Sequence, residues 1–290
     1  MINIDNAMEV YCKSGMKREQ LQDRLSRNIS GIEVQLSIKD TMDQIKANWI
    51  QDIQVVHPPL DAKGKFHVEV PFDYATSRPY HLECCRLINK LAGNEGRTVR
   101  YVLHIKQAKE DLIYRGEYDR LIEDLRQYAR DYSNIIFCIE NTIMYTEPYY
   151  MIEIVRDTDM PNVTSCIDIC HLQYSLYISR LMKGIHTEVA GLETVLSIDE
   201  MFSRCTNNCG LIHLCKCGTD PRWPYGLGNN HGVHFDPHDA TDLAELSGIL
   251  SVYHKYGYDC PLTLEVKERD YGSAINYSLC RDALTMVGVA

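Results

Sequence analysis

Residues 134–142, NIIFCIENT, form a short run of apolar, β-prone side chains that ends on a carboxylate, Glu140. An unbroken apolar run of this length reads as a strand buried on both faces. A charged residue at its end is costly to bury unless something pairs with it. The same construction recurs along the chain. His57 falls in IQVVHPP (53–59), His104 in RYVLHIK (100–106), Asp168 and His171 in SCIDICH (165–171), His213 in GLIHLCKC (210–217) and Glu265 in PLTLEVKE (261–268). Carboxylates and imidazoles at the C-terminal ends of successive buried strands most simply describe a metal site at one mouth of a β/α barrel.

The intervening segments have helical spacing. TMDQIKANWI follows the apolar run GIEVQLS (31–37), and a helix around YHLECCRLINKLAG ends at a glycine, as helices often do. Over residues 110–132, Leu112, Ile113, Tyr118, Leu121, Ile122, Leu125 and Tyr128 recur at three and four, which predicts one amphipathic helix. YYMIEIVRD, LQYSLYISRLMKG, ATDLAELSGILSVYHKYG and AINYSLCRDALTMV follow the later runs, and MEVYCKSG with KREQLQDRLSRN supplies an eighth β-then-α unit. Eight units in 290 residues predict a single (β/α)8 TIM-barrel domain spanning 1–290. The absence of a GxGxxG or GxxxxGK[ST] turn after any early strand weighs against a nucleotide-binding open sheet.

Composition places the chain among soluble globular proteins, with 45% hydrophobic and 24% charged residues. No apolar run approaches the roughly 20 residues of a transmembrane helix, and the N-terminus lacks the basic start and apolar stretch of a signal peptide. The twelve cysteines lie largely inside predicted strands and helices and read as reduced thiols in a cytoplasmic protein. A net charge of −10 argues against a nucleic-acid partner held by clustered Lys and Arg.

Glu140, Asp168, His213 and Glu265 then lie on the last four strands and point at one centre. Three carboxylates and an imidazole suit a divalent ion: Mn, Mg, Co or Zn. His57, His104, His171 and His231 are candidates for a second metal or for substrate. For His171 a helix-cap role competes, and for the others an ordinary hydrogen bond does. The loop after strand seven, GTDPRWPYGLGNNHGVHFDPHD, is long enough to suggest function. Its Arg222 and Trp223 are candidates to close over substrate, and Arg222 and Lys267 to bind a hydroxyl or phosphate. Cys205, Cys209, Cys215 and Cys217 are not spaced as paired CxxC knuckles, which argues against a structural cluster. Cys215 and Cys217 alternate with His213 as if on one strand.

IENT around Glu140, CIDICH, IHL around His213 and LEV around Glu265 resemble, in this order, the xylose isomerase-like TIM-barrel superfamily, which holds sugar isomerases and epimerases and also endonuclease IV. The resemblance runs from about GIEVQLS to LTLEVKE. In the epimerase branch it implies one divalent ion on Glu140, Asp168, His213 and Glu265, with His171 on substrate. In the endonuclease IV branch it implies three zinc ions on His57, His104, Glu140, Asp168, His171, His213, His231 and Glu265. The chain departs from the latter. ENTIM stands for ENTAG, Ile169 replaces the threonine of DTCH, HLCK stands for HLND, and Asn229-Asn230-His231 stands for Asp-x-His.

The resemblance therefore favours a divalent-metal-dependent isomerase or epimerase acting on a sugar or sugar-phosphate-like carbonyl compound. Proton transfer by Glu140 and Glu265 would run through an enediolate. One alternative is an endonuclease IV-like zinc phosphodiesterase cleaving abasic-site DNA; another is a non-catalytic barrel that binds a sugar-like ligand or partner. The expected partner is a small carbohydrate-like molecule, with nucleic acid not favoured, no membrane, and a homo-oligomer left open.

Overall fold

The computed structural model describes residues 8–27, 29–37, 41–60, 70–142, 149–176, 197–218, 230–268 and 273–288. Its strands are β1 (Val10–Gly15), β2 (Gly31–Ser37), β3 (Ile53–Leu60), β4 (Val99–His104), β5 (Ile135–Glu140), β6 (Val163–Asp168), β7 (Cys209–Leu214), β8 (Lys216–Gly218), β9 (Asn230–Val233) and β10 (Leu262–Leu264). All but β8 and β9 pair in parallel and close a barrel in the order β1-β10-β7-β6-β5-β4-β3-β2. The helices are α1 (Arg18–Leu25), α2 (Thr41–Asn48), α3 (Arg78–Asn94), α4 (Lys109–Tyr114), α5 (Tyr118–Asp131), α6 (Tyr150–Thr158), a run at 169–176 that we call α7, α8 (Ile198–Cys205), α9 (Ala240–Lys255) and α10 (Ile275–Met286). The expected (β/α)8 TIM barrel is what the chain forms. No helix among the described residues is long and apolar enough to cross a membrane.

Alternation along each strand divides the barrel into an outer core and an inner one. Ile32, Val34, Leu103, Ile139, Ile167, Ile212 and Leu264 are buried in the outer core with the apolar faces of the helices. Tyr11, Val55, Val102, Cys138, Cys166 and Leu211 fill the interior as a separate apolar layer. Two residues further along the same strands stand Lys13, His57, His104, Glu140, Asp168 and His213. Register places several of these at one level: Lys13 beside Glu33, His104 beside Glu140, and Asp168 beside His213. The apolar layer is thus a floor, and the polar residues are the next storey towards the C-terminal mouth.

The helix expected over 110–132 is two helices. Gly116, at φ 68°, takes the left-handed conformation that ends a helix, and Glu117 N–H returns to Leu112 O at 2.7 Å. Of the apolar positions read before the break, Leu112 is buried but Ile113 is 55% exposed, so the spacing that runs through it is not one buried face. α3 passes Gly93, and Gly96 (φ 66°) marks its end instead. α8, with Ser197 accepting from Glu200 N–H, was not anticipated. GLIHLCKC is not one strand either. β7 stops at Leu214, and β8 turns away to pair antiparallel with β9, building a hairpin inside what the sequence presents as loop.

Candidate metal centre

His213 lies at the middle of the polar storey, fully buried on β7. Its Nδ1 is 2.7 Å from Glu140 Oε1, 2.8 Å from Glu265 Oε2 and 3.8 Å from Asp168 Oδ2. The four residues expected to share one ion therefore converge on a single point. Each arrives from the end of a different strand.

Behind His213, Nε2 faces Glu33 Oε2 at 3.0 Å. Glu33 is fully buried on β2 and also lies 3.5 Å from the Lys13 ammonium on β1, which ion-pairs with Glu265 as well. Neither Glu33 nor Lys13 was anticipated, because both sit inside their strands rather than closing an apolar run. The available signal is the inward parity of GIEVQLS, where Glu33 and Gln35 alternate with Ile32, Val34 and Leu36. A carboxylate on the far nitrogen of a ligating histidine orients the ring and raises its basicity. Glu33 occupies that position.

Glu140 is shared. Oε1 points to His213, while Oε2 pairs with His104 Nε2 and lies 3.8 Å from His57 Nε2. The Gln35 amide nitrogen donates to Pro58 O and lies 3.1 Å from His57 Nδ1, which is itself 3.4 Å from Pro58 O. The other ring nitrogen, Nε2, faces Glu140. Burial, with Lys13 and His104 adding to it, holds the His57 pKa well below its usual range.

Asp168 divides its oxygens between two elements. Oδ1 accepts the His171 backbone N–H at 2.6 Å, capping the first turn of α7, and Oδ2 lies 2.9 Å from His231 Nε2 on β9. Asn141 fixes the backbone here, accepting from Asp168 N–H at 2.6 Å. His171 lies in this helical turn, with Nδ1 at 2.8 Å from Asn141 O. A carbonyl only accepts, so Nδ1 is the donor in this contact. Lys267 is exposed, its backbone N–H bonded to Gly232 O at 2.7 Å. Arg222, Trp223 and Asn229 lie outside the described residues.

The charge balance explains the shifts. Burial alone would raise the Glu140 carboxyl, but His104 and His213 hold it well below the carboxylate range. Burial likewise opposes ionisation of Asp168, yet His171 and His231 bring it down to about 2. His213 goes the other way: burial opposes its protonation, and the Glu33 and Glu140 carboxylates raise it well above its usual value.

The donor set fits a divalent ion. Glu33, Glu140, Asp168 and Glu265 crowd around one ammonium and several imidazoles. Glu33 and Glu265 share the His213 ring and the Lys13 ammonium as counter-groups, and Glu140 and Asp168 draw on the same cluster of imidazoles. Buried carboxylates that outnumber the fixed cations around them are what a cation of charge two stabilises. Ligand atoms of Glu33, His57, His213 and Glu265 lie within 4.8 Å of one another, as do those of His57, His104 and Glu140 and those of Asp168, His171 and His231.

The four cysteines do not gather as one group, in line with their spacing, but Cys215 and Cys217 lie beyond the strand that carries His213. Cys209 and Cys205 are not beside Cys215 and Cys217. Cys209 lies at the start of β7, with the Cys260 thiol at 3.8 Å. Cys215 and Cys217 instead meet Cys170 from α7.

A closed barrel with its acids and imidazoles gathered at the C-terminal strand ends defines a TIM-barrel protein whose chemistry sits at that mouth. The chain belongs to the xylose isomerase-like TIM-barrel family, whose model matches residues 75–282. Among solved structures it is similar to a xylose isomerase domain protein from Planctomyces limnophilus (13% identity, TM-score 0.60, 98% of this chain and 97% of that one). It is also similar to 3-keto-D-glucoside 4-epimerase from E. coli (12%, 0.55, 98% and 100%). A third is the probable 3-DHS dehydratase of Bacillus anthracis (12%, 0.56, 98% and 100%). Identities this low speak to the fold. No curated protein matches the sequence.

Proposed function

We propose that the chain is a divalent-metal-dependent isomerase or epimerase of a sugar or sugar-phosphate-like carbonyl compound. The observation that carries the proposal is the convergence of Glu140, Asp168 and Glu265 on His213 Nδ1 at the barrel mouth. Those four residues would hold the ion, with Glu33 steadying His213 from behind. When bound, the ion supplies Lewis-acid polarisation of a carbonyl and the hydroxyl beside it. Glu140 and Glu265 are the proton carriers at the carbon next to the carbonyl, one removing and the other returning it. The depressed pKa of Glu140 keeps it in its basic form at neutral pH. Lys13, paired with Glu265, keeps a cation against that carboxylate. His171 holds a substrate oxygen through Nε2, the ring nitrogen turned away from Asn141 O. The family and the epimerase among the structural neighbours support a small carbohydrate-like substrate.

A second reading, an endonuclease IV-like phosphodiesterase, draws on the His57–His104–Glu140 and Asp168–His171–His231 groups, each close enough to hold an ion. The chain's departures from the endonuclease IV pattern weigh against it: Ile169 stands for the threonine of DTCH and HLCK for HLND. The deciding experiment incubates manganese-loaded protein with a panel of ketoses and aldoses in deuterium oxide. Exchange of the carbon-bound proton beside the carbonyl, lost in Glu140→Gln and Glu265→Gln, is the expected result. Cleavage of abasic-site DNA with no exchange on any sugar would overturn the proposal in favour of the hydrolase.

A further inference from the structure

Three thiols and an imidazole lie beside the carboxylate centre, and the imidazole borders both: His231 Nε2 is also 2.9 Å from Asp168 Oδ2. Cys170 comes from the first turn of α7, Cys215 from the residue joining β7 to β8, and Cys217 from the middle of β8. His231 comes from β9, across the hairpin. The Cys170 thiol interacts with both Cys215 and Cys217. Sγ of Cys170, Sγ of Cys215 and a His231 ring nitrogen lie within 4.8 Å of one another. Cys215 Sγ is 3.8 Å from His231 Nε2. Two tetrahedral ligands at the usual zinc–sulfur and zinc–nitrogen distances stand about 3.5 Å apart, so little movement is needed to place an ion between them.

We propose that Cys170, Cys215, Cys217 and His231 form a second, thiolate-rich site for a soft or borderline ion of the zinc type, which fastens the β8–β9 hairpin to the barrel mouth. Thiolates select zinc over the hard ions that carboxylates favour, so the two centres differ in what they take. Cys170, Cys215 and His231 are the compact part of the set and Cys217 joins it through Cys170; with all four bound no position would be left open, as in a structural site. The hairpin is built to deliver these ligands. Its backbone is already tied on two sides: Cys217 N–H donates to Gln173 Oε1 on α7 at 3.1 Å, and Gly232 O accepts from Lys267 N–H. Gly232 beside His231 has φ 85°, and a Cβ there would stand 2.9 Å from Lys267 Cγ. The chain therefore places His231 through a backbone position that only glycine takes without strain.

The other thiol group provides the contrast. Cys205, Cys209 and Cys260 also pack together, with Cys209 and Cys260 sulfurs 3.8 Å apart, but Cys205 and Cys260 are buried in the apolar core and no imidazole joins the group among the described residues. Those cysteines behave as small hydrophobes. At the mouth, the imidazole supplies a fourth donor that packing alone does not require.

Cobalt(II) loading tests the assignment. Thiolate-to-cobalt charge transfer gives near-ultraviolet absorption that carboxylate and imidazole ligands do not, so the signal reports on this site and is blind to the success of the isomerase proposal. The wild-type chain should show the band. Glu140→Gln should keep it, Cys170→Ser should weaken it, and the Cys215→Ser/Cys217→Ser double variant should lose it together with one zinc per chain by elemental analysis. Should the double variant fail to fold, alkylation of the wild type decides. Zinc should slow modification of Cys170, Cys215 and Cys217 at least tenfold relative to chelator-treated protein. A cobalt-loaded, folded wild type without the band, or equal alkylation with and without zinc, would overturn the site.

Discussion

Glu140 Oε1 lies 2.7 Å from His213 Nδ1 although their strands are not neighbours: β6 runs between β5 and β7. The contact therefore crosses the barrel interior and depends on both side chains facing inward at the same storey. Glu140→Gln keeps the shape and removes the charge. We expect it to fold, to bind divalent ions more weakly, and to lose about 10²- to 10⁴-fold in the proton-exchange rate. Isothermal titration with manganese and the deuterium-exchange assay measure the two effects. Full exchange activity in a folded variant would remove Glu140 from the acid–base role.

Lys13 makes the second prediction. Its ammonium is the counter-charge for Glu33 and Glu265, and its side chain is 15% exposed, against 0% for Glu33. Removing one member of a buried pair leaves an uncompensated charge, at a cost of roughly 3–5 kcal/mol. Lys13→Met should therefore be strongly destabilised without metal. A divalent ion that binds only the folded chain restores stability by mass action. Thermal melts with and without manganese should show a larger metal-induced rise in the variant than in the wild type. Equal rises would mean that the ion does not neutralise Glu33 and Glu265.

The ease of reading these residues from sequence followed their position. Glu140, Asp168 and His213 stand at or near the ends of apolar runs, where a charge breaks an obvious pattern. Glu33 and Lys13 are as deeply involved, but β2 and β1 alternate, and a charge in an alternating strand looks like a solvent-facing residue until the barrel closes over it. Cys170 joins Cys215 only because α7 begins where β6 ends, a proximity that sequence spacing does not encode. The β8–β9 hairpin was hidden in a segment rich in Gly, Asn and Pro, where turn chemistry masks short strands. Eight β-then-α units were legible because each strand is apolar on its outer face and each helix has one apolar stripe.

The division of α4 from α5 gives a third test. A Cβ at Gly116 would meet nothing within 4 Å, and the same holds at Gly248 inside α9. Space is therefore equal, and backbone conformation alone separates the two sites. Gly116 has φ 68°, so Gly116→Ala should destabilise by about 1–2 kcal/mol. Gly248→Ala, in regular helix, should stabilise by roughly 0.5–1 kcal/mol. Urea denaturation of the two single variants distinguishes these signs. Destabilisation by both would mean that packing, and not φ, controls the Gly116 position.

His81 predicts how stability depends on pH. It is fully buried in α3, with Nε2 at 3.1 Å from Val70 O and Nδ1 at 2.9 Å from the Tyr101 hydroxyl. Val70 O can only accept, so Nε2 carries the proton and Nδ1 accepts from Tyr101. Burial lowers the His81 pKa from its ordinary 6.5 to about 4, so the folded chain keeps the ring neutral where the unfolded chain protonates it. Between these two values the unfolded state binds more protons, and stability rises with pH. The contribution is fully present above pH ~6.5 and is lost as the pH falls towards 4, amounting to a few kcal/mol. His81→Gln should be less stable at pH 8, because it disturbs both hydrogen bonds. It should also lose this part of the slope between pH 4 and 6.5, so the two curves converge on acidification. Unfolding free energies from urea titrations at intervals across that range check it; parallel curves would show that His81 does not titrate there.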